Sequence, residues 1–89
     1  MHLALTGTIA IVTGGGSGIG RASCLAFGEA GASVVVVGRT LANVQAVAAD
    51  ITAAGGAALA VQADVSRSDD VQHMVAATLA QFGGVGYSV

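Results

Sequence analysis

The sequence predicts an α/β fold, a parallel sheet built as β-α-β-α-β-α with a fourth strand just begun. Three observations carry this. Apolar residues alternate between short β-branched runs and stretches with helical spacing. The run Ser33 to Val37 (SVVVV) has no polar alternation, which suits a strand covered on both faces. A glycine-rich turn, Gly14-Gly15-Gly16, stands directly between the first strand and the first helix.

Taken in order, Thr8 to Thr13 (TIAIVT) reads as the first strand, closed by the three glycines. Ile19, Ala22, Ala26, Phe27 and Ala30 recur at helical spacing, and Gly31 follows as the C′ residue. Ser33 to Val37 is the second strand. Thr40 suits an N-cap for a second helix with the stripe Leu41, Val44, Val47, Ala48 and Ile51, ended by Gly55 and Gly56. Ala57 to Ala63 (AALAVQA) reads as a third strand. Ser66 or Ser68 can cap a third helix, with Asp69 and Asp70 in its first turn, where they complement the helix dipole. Its stripe is Val71, Met74, Val75, Leu79 and Phe82, and Gly83 with Gly84 close it. Val85 to Val89 (VGYSV) looks like a strand cut short. Strands alternating with helices imply right-handed crossovers and one domain over residues 1–89.

Composition narrows the function classes. The chain has 89 residues, a formal net charge of −2, 54% hydrophobic and 9% charged residues, 14 Gly and no Pro. That excludes an intrinsically disordered chain. The three basic residues are Arg21, Arg39 and Arg67, with no Lys, so a nucleic-acid partner is not expected. One cysteine, Cys24, leaves no intramolecular disulfide and no cysteine-cluster metal site. His2 and His73 suggest no metal site either. The densest apolar run, Val34 to Val37, is far short of the ~20 residues of a spanning helix, so no membrane association is expected. Met1 to Val12 is apolar but has no basic residue ahead of it and is a poor signal peptide. The expected compartment is the cytoplasm.

The chemistry concentrates in Thr13-Gly14-Gly15-Gly16-Ser17-Gly18-Ile19-Gly20. A strand, a glycine turn and a helix start form a geometry that holds phosphate: the first helical N–H groups lack partners, and the dipole adds positive charge there. A P-loop needs Gly-Lys-Ser/Thr, and the chain has no Lys. Strict G-x-G-x-x-G also fails, because the third glycine would fall at Ile19. What stands here is T-G-x-x-x-G-x-G, filled by Gly14, Gly18 and Gly20.

This loop resembles the cofactor loop of the short-chain dehydrogenase/reductase family. Arg39, just after the second strand (VVVVGRT), sits where that family contacts the adenosine ribose. Asp64-Val65 (ADV), at the end of the third strand, matches its adenine-binding pair. The resemblance runs from about Leu5 to the end of the chain and implies the N-terminal part of a single NAD(P)-binding, Rossmann-like domain. It implies that Gly14, Ser17, Gly18 and Ile19 surround the pyrophosphate and its ribose, and that Gly20 lets the first helix pack closely. Asp64 would accept a bond from the adenine amino group and the Val65 N–H would bond a ring nitrogen. Read alone, Arg39 is better taken as a solvated surface charge, and Asp64 could simply be a helix-entry acid near the Ser66 cap; the order and spacing of three motifs favour the cofactor.

NAD-preferring members carry an acid at the end of the second strand, where Gly38 stands here, followed by Arg39. NADP is therefore the expected cofactor, and NAD binding with Arg39 stacked on adenine stays open. The implied activity is hydride transfer between the nicotinamide and an alcohol or carbonyl. The family's catalytic Asn, Ser and Tyr-x-x-x-Lys have no counterpart: there is no Lys, Tyr87 is followed by two residues, and Asn43 lies in the second helix. No catalytic residue carries over. The expectation is the N-terminal piece of a longer enzyme, with a non-catalytic binding module or inactive fragment as the alternative. The family's sheet places the first strand inside. Without a full fourth strand its edge is expected to be exposed and to drive self-association.

Overall fold

The computed structural model describes residues 7–16, 18–83 and the backbone of 87–88. The elements are β1 (Ile9–Thr13), α1 (Gly18–Glu29), β2 (Ser33–Gly38), α2 (Leu41–Ala53), β3 (Ala57–Gln62), α3 (Ser68–Phe82) and β4 (Tyr87–Ser88). The strands are all parallel, in the order β3-β2-β1-β4. This is the parallel α/β arrangement that the alternating periods predict and the Rossmann-like fold that the resemblance implies.

The valine run explains the layering. In a strand, successive side chains point to opposite faces. Val34 and Val36 enter one core with Val12, Cys24, Val44, Val47 and Ile51, under α1 and α2. Val35 and Val37 enter the other with Ile11, Val61, Ala63 and Met74, under α3. Each of the four valines is at most 1% exposed, so β2 is the covered centre of a helix–sheet–helix sandwich. Two helices lie on one face and the third on the other, so the chain changes direction at β1. The crevice outside the carboxyl ends of the strands at such a reversal is where ligands bind in open α/β sheets.

Several boundaries differ from the sequence reading. Leu41 was expected in the α2 stripe but is 40% exposed, and Val44, Val47, Ala48 and Ile51 carry the burial. In α3, Leu79 is 48% exposed while Thr78 is fully buried. Thr78 stands one turn after Met74 and can enter the core because its hydroxyl donates to the Met74 carbonyl at 2.8 Å. Thr40 does occupy the N-cap of α2, but its side chain makes no capping bond. Neither Ser66 nor Ser68 is the N-cap of α3; Arg67 is, because Ser66 is committed to Asp64. Gly83 closes α3 in the left-handed region, its N–H bonded to the Leu79 carbonyl at 2.8 Å. Gly84 lies outside the described residues. β3 ends at Gln62 rather than Ala63, although the Ala63 N–H still bonds the Gly38 carbonyl at 2.9 Å. The β1 edge is not wholly bare: β4 pairs with Ala10 and Ile11.

These placements give opposite expectations for two apolar residues. Ile11→Ala, at a site 2% exposed, is expected to cost about 2–5 kcal/mol. Leu41→Ala is expected to stay within about 0.5 kcal/mol. Urea unfolding of the two variants checks the assignment, and equal losses would contradict it.

Candidate functional site

The site is built from the exits of three adjacent strands. After β1 the chain turns through Gly14 and Gly18, with φ of 68° and 56°, a region that residues bearing a Cβ rarely occupy. Gly20 has no room for a side chain. A Cβ there would lie on the Gly14 carbonyl oxygen, 2.6 Å from its carbon and 3.1 Å from the Gly15 Cα. The turn is pressed onto the sheet as well: a Cβ at Gly15 would meet Val36 Cγ1 at 2.9 Å and Cys24 Sγ at 3.0 Å. The Gly15 N–H bonds the Val37 carbonyl at 2.9 Å and ties the turn to the end of β2.

The amino end of α1 follows at once. Its first N–H groups have no intrahelical acceptors. Its first turn holds no acidic residue, whereas that of α3 holds Asp69 and Asp70. The positive end of the α1 dipole thus has no carboxylate in its own first turn and remains open to an external anion. Arg21 is drawn off by a 3.0 Å ion pair with Asp50 on α2. Ile19 is 87% exposed beside the turn. Ser17 lies outside the described residues.

Arg39 follows β2 and borders two depressions. One, of about 110 Å³, is lined by Gly14, Gly16, Gly38, Thr40, Asn43 and Val44 besides Arg39. A Cβ at Gly38 would meet Val44 Cγ1 at 2.9 Å, so this cleft has neither a carboxylate at position 38 nor ready space for one. The other, of about 390 Å³, runs from Arg39 to Gln62, Ala63, Asp64 and Asp70. Gln62 Nε2 donates to the Arg39 carbonyl at 3.1 Å across the join.

Asp64 and Val65 follow β3. Asp64 Oδ1 accepts from the Ser66 hydroxyl at 2.6 Å and the Ser66 N–H at 3.0 Å. The Ser66 bonds, with the Arg39 and Arg67 charges, hold the Asp64 carboxyl below its ordinary value of 3.8, against a smaller upward push from burial. The Asp64 N–H donates to Asp70 Oδ2 at 2.7 Å. Val65 is 49% exposed, and no described residue accepts its N–H.

The structure thus brings Gly14, Gly18, Ile19, Gly20, Arg39, Asp64 and Val65 to one rim, at the carboxyl ends of β1, β2 and β3. The sequence reading missed Asn43 and Thr40 as lining residues and Asp70 as a partner of Asp64. Asn43 falls on the polar side of its helix, and Asp70 was read only as a first-turn acid. A cavity of about 750 Å³ lies elsewhere, between the carboxyl ends of α1 and α2, with Glu29 in its wall. Helix carboxyl ends and a carboxylate disfavour an anion there. Cys24 is buried beneath the turn, and burial pushes its thiol up to about 11. Among the described residues no three His, Cys, Asp or Glu side chains gather as a metal site, and no helix is long and apolar enough to cross a membrane.

Residues 8–87 match the model of a family described as short chain dehydrogenase. The chain is 45% identical over 86 residues to short chain dehydrogenase/reductase astE of Aspergillus oryzae, covering 96% of this chain and 33% of that protein. It is 42% identical over 83 residues to a 3-oxoacyl-[acyl-carrier-protein] reductase of Synechocystis, covering 92% and 34%. Among solved structures, a metagenomic short-chain oxidoreductase in complex with NADP superposes with a TM-score of 0.86 at 37% identity, covering 94% of this chain and 38% of that one. The chain spans roughly a quarter to a third of the length of the curated relatives it matches.

The lowered Asp64 carboxyl has a sign that can be worked out. A folded value below the unfolded one stabilises the fold above the ordinary value of 3.8, and that contribution disappears as pH falls through the folded value. Ser66→Ala removes the largest cause. It is expected to raise the Asp64 midpoint toward the ordinary value in a carbon-detected NMR titration, and an unmoved midpoint would contradict the assignment.

Proposed function

Because this chain belongs to the short-chain dehydrogenase family, we propose that it is the N-terminal part of a single NAD(P)-binding domain of an oxidoreductase. Bound nicotinamide dinucleotide would supply a hydride donor or acceptor for an alcohol or carbonyl. The chain's own residues bind and orient it. Gly14, Ser17, Gly18 and Ile19 surround the pyrophosphate, whose charge meets the amino end of α1. Gly20 keeps that helix close. The Asp64 carboxylate accepts the adenine amino group, and the Val65 N–H bonds a ring nitrogen.

The observation that carries this reading is the cradle itself. A Cβ at Gly20 would overlap backbone, and those at Gly15 and Gly16 would meet neighbours within 3.0 Å, so the turn is pressed onto the sheet and the amino end of α1 begins directly beside it. Arg39 and Asp64 stand on the same rim, at the distance of one strand from each other. The residues present therefore fit the dinucleotide.

NADP is the preferred cofactor in this reading. Position 38 offers no carboxylate to repel a 2′-phosphate, and the Arg39 guanidinium can hold one in two-point contact. The reading in which Arg39 stacks on adenine accepts NAD equally. The alternative reading is a binding-only module. The reading frame beyond Val89 separates the two: a Tyr-x-x-x-Lys there restores the enzyme. A cytoplasmic location completes the reading.

Calorimetric titration tests the cofactor site. Gly20→Ala, which drives a methyl into the Gly14 carbonyl, is expected to weaken NADPH binding at least about tenfold. Unaltered affinity would remove the cradle from the reading. Arg39→Ala is expected to weaken NADP by about tenfold to a hundredfold and NAD only slightly. An equal loss for both cofactors would rule out the phosphate role.

A further inference from the structure

We infer that Asp70 is a positioning residue that fixes the adenine-reading pair Asp64–Val65 relative to α3, an inference that rests on the dinucleotide reading above. The turn between β3 and α3 is held by four hydrogen bonds, and only one of them reaches into the body of the helix. The Arg67 N–H donates to the Asp64 carbonyl at 3.0 Å. The Ser66 N–H and hydroxyl donate to Asp64 Oδ1. These three lie within residues 64–67 and move with the turn as a body. The fourth runs from the Asp64 N–H to Asp70 Oδ2 at 2.7 Å, the distance of a charge-assisted bond.

The position of Asp70 makes this reach unusual. It is the third residue of α3, where an acidic side chain commonly turns back to the N-cap N–H. Here it passes the N-cap, Arg67, and grips the residue three places earlier. Arg67 in turn carries the helix start, its carbonyl accepting from the Val71 N–H at 3.1 Å. The turn is therefore pinned at both of its ends, through Arg67 by the chain itself and through Asp64 by Asp70. Between these pins Val65 is half-exposed, and its N–H has no acceptor among the described residues. Ser66 takes one carboxylate oxygen of Asp64 and leaves the other for a ligand. Without Asp70, the acceptor and the donor that read the adenine edge lose their common reference.

The test compares NADP with its unsubstituted purine analogue, which lacks the adenine amino donor and keeps the ring-nitrogen acceptors, on the 89-residue chain by calorimetry. The unsubstituted chain is expected to favour NADP by about tenfold, the scale of one hydrogen bond to a charged acceptor. Asp70→Ala is expected to bring this ratio close to one by weakening NADP while leaving the analogue nearly unchanged. Asp70→Asn keeps an acceptor oxygen without the charge and is expected to restore most of the ratio. In the Asp64→Ala background, adding Asp70→Ala is expected to change the ratio no further, since both act through one contact. A merely structural role predicts equal losses for both ligands, and that result, or an unchanged ratio in Asp70→Ala, would overturn the inference. Should Asp70→Ala fail to fold, Asp70→Ser, which suits a first helical turn but is too short to reach Asp64, takes its place with the same expectation. Failure of the unsubstituted chain to bind either ligand would instead overturn the dinucleotide reading, and this inference with it.

Discussion

A side chain at position 20 would occupy the space of the Gly14 carbonyl, and this one steric fact sets the distance between α1 and the exit of β1. Because main chain rests on main chain there, the helix begins where the strand ends. Its unpaired N–H groups then stand over the rim of the sheet instead of beside it. A methyl at this point would push α1 away, and the charge of its amino end would no longer be concentrated on the turn. The absence of a carboxylate from the first turn of α1 completes the effect, since no nearby anion answers the dipole from within.

The rest of the rim is aligned by β2. Its register pairs Thr13 with Val37 on one side and Gly38 with Gln62 on the other, so the three exits emerge almost level. Burial of Val34 to Val37 on both faces keeps that register from slipping, because a shift by one residue would exchange the two helix-facing cores. Core packing and site geometry are thus set by the same strand. Arg39 inherits its place between two depressions from this alignment, with the Gln62 amide bonded to its carbonyl.

Much of this was legible in the sequence. Parallel order, layer count and the glycine turn follow from the valine run, the alternating periods and the spacing of Gly14, Gly18 and Gly20. What escaped lay in contacts that spacing does not encode. Leu41 has the hydrophobicity of a core residue, yet it stands at the start of its helix, where the sheet no longer covers it. Thr78 looks polar, yet a bond to its own helix lets it be buried. Ser66 has the chemistry of a cap, and a neighbouring carboxylate claims it first. Asp70 is six positions from Asp64, a separation with no helical or strand period, so only the folded turn could show them joined.

Cys24 lies directly under this turn, its sulfur close to where a Cβ on Gly15 would be, with no exposed surface and a protonated thiol at neutral pH. Alkylating reagents attack thiolates, so they must wait until the glycine segment lifts and solvent enters. Being the only sulfhydryl in the chain, it acts as a native clock for that lifting. Whatever holds the glycine turn against the sheet slows that labelling.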